Sequence, residues 1–120
     1  MRTGKITIKG KEYLTCFSTR VLMNCEERAG SFEHEMEKIE GRSISECIWL
    51  IYQLIIAGDR YAKIEGIDNP EPMTYDELID SVGVDEYPDL FKAITATTTA
   101  GTNRNIELKA SKNAEPTQDD

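Results

Sequence analysis

The chain reads as an α+β, mainly α protein: an N-terminal β-hairpin packed on a compact bundle of four to five helices, followed by a disordered polar C-terminal tail. Three observations carry that expectation. Residues Lys5–Lys9 alternate polar and apolar and run into a glycine, apolar positions recur at helical spacing from residue 18 onward, and large apolar side chains nearly vanish after residue 97. A chain of 120 residues has room for one ordinary core. The expected division is a single globular domain over 1–97, with the hairpin at 5–17 and helices over 18–97, and then the tail over 98–120.

The hairpin comes first. Gly10-Lys11 supplies its turn, and a second extended run covers Glu12 to Phe17. In that run Tyr13 and Phe17 point to one face and Leu14 and Cys16 to the other, so both faces should be partly covered. Two strands alone are marginal in water, so the hairpin must pack on the helices C-terminal to it or pair with another chain's edge.

Ser18 is placed to cap a helix in which Val21, Leu22, Cys25 and Ala29 form an apolar stripe and Gly30 ends the element. The acidic stretch Ser31–Glu40 places Phe32, Met36 and Ile39 at helical spacing, a thin stripe that predicts a short helix. Gly41 breaks it. Ser43-Ile-Ser-Glu46 then forms a capping-box pattern ahead of Cys47–Ala57, where only Gln53 is fully polar. A helix without a polar face belongs at the centre of a fold or under another molecule. The run is too short for a bilayer, which needs about 20 apolar residues, and Tyr61, Ala62 and Ile64 continue its spacing past Gly58 to Gly66.

Ile67–Pro72 holds two prolines and reads as a loop. Thr74-Tyr-Asp-Glu77 is a second capping box, with Tyr75, Leu78, Ile79 and Val82 as the inward stripe of a short helix. Tyr87, Leu90, Phe91 and Ile94 mark a last helix, with Pro88 near its first turn. From Thr95 the run of threonines weakens helix propensity, so fraying is expected there.

Composition narrows the function. Twenty-two acidic against fourteen basic residues leave a net charge of -8, which repels polyphosphate backbones and anionic lipid surfaces, so neither nucleic acid nor membrane is an expected partner. A basic protein partner is favoured, although acidity also serves solubility. Met1–Lys5 leads directly into the strand pattern without the apolar stretch of a signal peptide, which places the expected location in the cytoplasm. Cys16, Cys25 and Cys47 are odd in number and lack C-x-x-C spacing, so reduced, buried thiols are expected.

A search for chemistry finds no complete constellation. His34, the sole histidine, stands between Glu33 and Glu35; its helical neighbours Gly30, Ser31, Glu37 and Lys38 make no recognisable triad or His-x-x-x-His zinc pair, and it reads as a surface residue. Asp76 and Asp80 lie four apart on one helix face, a pattern that can hold a divalent cation but more simply solvates the face. Trp49 and Tyr52 could line a pocket, but aromatics in a continuous apolar helix are first of all core. No catalytic, cofactor-binding or metal-binding residue is expected, and the chain reads as a protein-binding module. Candidate contact residues are Ile6, Ile8, Tyr13 and Phe17 of the hairpin and Trp49 and Tyr52 of the central helix. Self-association would also satisfy the excess hydrophobicity of Cys47–Ala57.

The order of elements carries a resemblance. The hairpin Ile6–Tyr13 with Phe17, the helix ending Glu26-Glu27-Arg28-Ala29-Gly30, the apolar helix ending Ile55-Ile-Ala-Gly58 and the helix Met73–Asp80 together resemble the tail assembly chaperones of long-tailed (siphovirus-type) bacteriophages and prophages of Gram-positive bacteria. The likeness spans about residues 4–97. The acidic stretch Ser31–Arg42 departs from the pattern, as does Thr15, where an apolar strand residue is expected. The resemblance implies a non-enzymatic chaperone in the bacterial host cytoplasm. It would coat the tape measure protein during tail morphogenesis and yield it to arriving tail tube protein. Many members of that kind also have a frameshifted longer form that recruits tube protein; Lys112-Asn113 is compatible with a slippery run of adenines but reads first as ordinary polar tail. The competing expectation is a small acidic interaction module, such as an inhibitor that mimics nucleic acid.

Overall fold

A computed structural model describes the backbone over residues 3–113 and the side chains over residues 3–100. Two strands, β1 (Thr3–Ile8) and β2 (Lys11–Cys16), form an antiparallel hairpin, and five α-helices come after it: α1 (Thr19–Ala29), α2 (Phe32–Glu40), α3 (Ile44–Glu65), α4 (Tyr75–Ser81) and α5 (Tyr87–Asn113). A single 3₁₀ turn, Val84–Glu86, leads into α5.

The hairpin turn is Lys9-Gly10, one residue earlier than the spacing suggests, and both residues have positive φ, 54° and 78°. That pairing matches the twist of the flanking strands, and glycine takes it without steric cost. The register sets Ile6 opposite Tyr13 and Gly4 opposite Thr15. Alternation then buries Ile6, Ile8, Tyr13 and Thr15 on the inner face and leaves Lys5, Thr7 and Glu12 in solvent.

Ser18, Ser43 and Thr74 cap their helices as the sequence predicts, with one difference at Ser43, and Ser31 caps α2 as well. The Ser18, Ser31 and Thr74 side chains accept from Val21, His34 and Glu77 amides. Thr74 and Glu77 close a reciprocal box at 3.1 and 2.8 Å. Ser43 caps α3, but the Glu46 carboxylate does not return to it, because Arg28 of α1 holds that carboxylate in two bonds of 2.6 and 3.1 Å.

Helix α3 is the central element. Its Leu50, Ile51, Leu54 and Ile55 are almost wholly buried, and it runs through Gly58 to Glu65, ended by Gly66 in the left-handed region. Gly58 lies on β2 so closely that a Cβ there would sit 1.9 Å from the Leu14 carbonyl oxygen. Glycine is therefore required by the strand, not by the helix, which it weakens by about 1 kcal/mol relative to alanine.

Helix α5 closes the other side of the hairpin. Thr15, the polar residue in an apolar strand position, is fully buried and shares a 2.7 Å hydrogen bond with Thr97 Oγ1. Gly4 packs at the same spot, where a Cβ would meet Thr97 Oγ1 at 2.6 Å. This contact explains why the helix passes the expected fraying point at Thr95. Thr97 and Thr98 are buried, Thr98 Oγ1 donates to the Ile94 carbonyl at 2.9 Å, and burial outweighs weak propensity. The boundary expected at residue 97 is thus not a helix end: α5 continues to Asn113, and residues 114–120 of the expected tail lie outside the described residues.

Candidate protein-binding surface

The hairpin residues expected to touch a partner are mostly interior. Ile6, Ile8 and Tyr13 keep 7%, 2% and 2% of their surface and belong to the core under α3 and α5, a correction that follows from their position on the inner face. Phe17 is half-buried against Phe32 of α2, ring centroids 4.9 Å apart. Tyr52 packs on Tyr75 of α4 at 5.2 Å. Trp49 is half-buried under the Arg28 guanidinium, 4.4 Å from its ring centre. The structure does not bring these six residues together as one surface.

The exposed apolar side chains are different ones. Ile44, Val84 and Phe91 retain 50%, 76% and 39% of their surface and line one groove of about 730 Å³. It opens where the end of α2, the first turns of α3 and the first turns of α5 meet. Ile39, Cys47 and Tyr87 also line it, and Glu40, Arg42 and Lys92 supply charge. Volume and composition suit the side chains of an amphipathic helix. The sequence carried a signal for it. Val84 precedes the last helix and belongs to no inward stripe, whereas Ile44 shares the spacing of Cys47, Ile48 and Ile51 and is exposed only because it lies at the open first turn of α3. Phe91 looked like part of the α5 core stripe, and its exposure follows from the open space beside it.

Beneath α1 lies a second feature, a carboxylate on the inward stripe of α2. Glu35 of α2 is fully buried, and neither carboxylate oxygen is hydrogen-bonded. Desolvation, followed by the adjacent Glu46 carboxylate, pushes its carboxyl up to about 7. Protonated, Glu35 can donate to Glu46, whose own carboxyl is held below the ordinary range chiefly by its bonds to Arg28. Burial, with a smaller push from Glu35, raises the Cys25 thiol to about 12, far from a reactive thiolate.

The remaining candidates for chemistry stay apart. His34 is exposed on α2, away from Asp76 and Asp80, which are exposed on one face of α4, and all three cysteines are buried and form no disulfide. Among the described residues no group of three or more His, Cys, Asp or Glu side chains is arranged to hold a metal ion, and no helix is long and apolar enough to cross a membrane. Comparison with known proteins finds no matching family model, no similar curated protein and no matching solved structure.

Proposed function

We propose that this protein is a non-enzymatic tail assembly chaperone of the long-tailed phage kind, which holds the tape measure protein in the host cytoplasm until tail tube protein displaces it. The groove at Ile44, Val84 and Phe91 carries this reading. A tape measure helix presents apolar residues at i, i+3, i+4 and i+7, and a chaperone must cover such a stripe without burying it irreversibly. Three exposed anchors with a charged rim provide that kind of contact: enough apolar area to mask a stripe, with water close to every edge. The order of hairpin and helices that carries the resemblance supports the same reading.

The test is co-expression of a tape measure segment with the wild-type chain and with Phe91→Asp. Wild type should keep the segment soluble and co-purify with it, and the charge in the groove should weaken capture about tenfold or more. Unchanged solubility and no co-purification with wild type would sink the proposal. Capture that Phe91→Asp and Ile44→Asp leave intact would remove the groove from it.

A further inference from the structure

The two outer edges of the hairpin are treated differently. On the β2 side, the Leu14 amide donates to Asn69 Oδ1 at 2.8 Å, Asn69 donates to Asp59 at 3.3 Å, and α3 lies against the strand at Gly58. That edge is closed at Leu14. Because the Leu14 amide points outward, its register partner Lys5 belongs to the same non-hydrogen-bonded pair, and Thr7, two residues on, stands in the next such pair. The N–H and C=O groups of Lys5 and Thr7 therefore point away from β2. The sheet has only two strands, and among the described residues no backbone or side-chain group pairs with this edge.

Nor is the β1 edge protected in the usual ways. It has no proline, no bulge and a single charged side chain, Lys5, on its solvent face. Beside it runs a groove of about 410 Å³ whose other wall is Val82 with Leu90, Ala93 and Ala96 of α5. The charges lining that groove are Lys5, Lys92, Glu86 and Asp89.

We propose that the β1 edge is an interaction surface for a second copy of this chain, pairing β1 with β1 in antiparallel fashion into a four-stranded sheet. Two observations select a copy over a foreign strand. First, the strand Thr3-Gly-Lys-Ile-Thr-Ile is compatible with itself: antiparallel pairing about Ile6 sets Lys5 opposite the second copy's Thr7 and Gly4 opposite its Ile8, so no like charges meet across the ladder. Second, the groove carries two cations and two anions, so it adds no net charge to a contact between copies, whereas the chain as a whole carries -8. Two copies thus approach along a locally neutral face. Net repulsion elsewhere makes the pairing tighter, not weaker, as salt rises.

The experiment is sedimentation of the full chain across concentration and salt, beside Thr7→Pro. Proline at Thr7 removes an N–H that the monomer does not use, and an edge strand tolerates it. Two hydrogen bonds disappear from the symmetric pair, so the dimer dissociation constant should rise about tenfold or more, with an unchanged circular dichroism spectrum. Hydrogen exchange on wild type gives an independent reading: the Lys5 and Thr7 amides should be protected at concentrations where the dimer forms and exchange freely where it does not. A chain that stays monomeric throughout overturns the proposal. So does a dimer in which those two amides exchange as fast as in the monomer. Neither measurement uses a tape measure segment, so failure here leaves the chaperone reading standing.

Discussion

Glu35 shows how one side chain sets a pH dependence. Its carboxyl stands at about 7 in the folded protein against an ordinary value of 4.5, so the folded state binds this proton more tightly than the unfolded chain does. The penalty begins as pH rises past the ordinary value and is complete above about 7; stability gained on acidification is fully present below the unfolded value. Glu46 acts in the opposite sense, since its lowered carboxyl contributes stability that is lost only at more acid pH. The protein should therefore be most stable in mildly acidic solution. Glu35→Gln should raise stability at pH 8 by on the order of 2 kcal/mol and flatten the profile between about pH 5 and 8. Urea denaturation of both proteins across that range checks it, and an unchanged slope for the variant would exclude Glu35 as the source.

At the scale of elements, the seating of α3 on β2 and of α5 on β1 depends on small residues at the crossing points. Gly58→Ala is the sharpest probe. In an isolated helix alanine would stabilise by about 1 kcal/mol, yet here its Cβ falls 1.9 Å from a carbonyl oxygen, so helix and strand must separate. The expected result is a net loss of about 2–3 kcal/mol, the cost of overpacking against backbone that cannot yield. Thermal unfolding of the variant measures it, and a gain in stability would mean that α3 does not lie where the structure puts it. The same crossing covers the β2 edge at Leu14, whereas among the described residues nothing pairs with the outward groups of Lys5 and Thr7 on β1.

For the whole molecule, one continuous core unites hairpin and helices. Cys16 sits in the strand, Cys25 in α1 and Cys47 in α3, all within that core. The reactivity of Cys16 and Cys25 therefore reports on global opening. A thiol reagent added at pH 8 should label Cys16 and Cys25 together at the rate of unfolding, with no fast phase, because burial denies access and holds the Cys25 thiol up to about 12, whereas Cys47 lines the open groove and can react sooner. Cys16 or Cys25 labelling at once would show that the element carrying it opens independently. The net charge of -8 belongs to this scale as well, since it favours dispersal of free copies and confines association to faces where charge is locally balanced.

Local rules were legible in the sequence because they act between near neighbours. Ser18, Ser31, Ser43 and Thr74 mark helix starts, Gly30 and Gly66 mark ends, and the unbroken apolar run from Cys47 to Ala57 marks the central helix. What depended on distant residues was not legible. Thr15 looks misplaced until Thr97 meets it, 82 residues away, and that contact carries α5 past its threonines. Glu35 falls on the inward stripe with Phe32, Met36 and Ile39, but a carboxylate there reads as a surface residue until the fold is known to bury it beside Glu46 and Arg28. Ile6, Ile8 and Tyr13 alternate as a binding edge would, yet their side chains were needed for the core. The exposed apolar surface of the groove fell instead to Ile44, Val84 and Phe91. A sequence determines which residues want to leave water. Only the tertiary packing decides which of them find room inside, because space in a core is limited and is filled by contacts between distant parts of the chain.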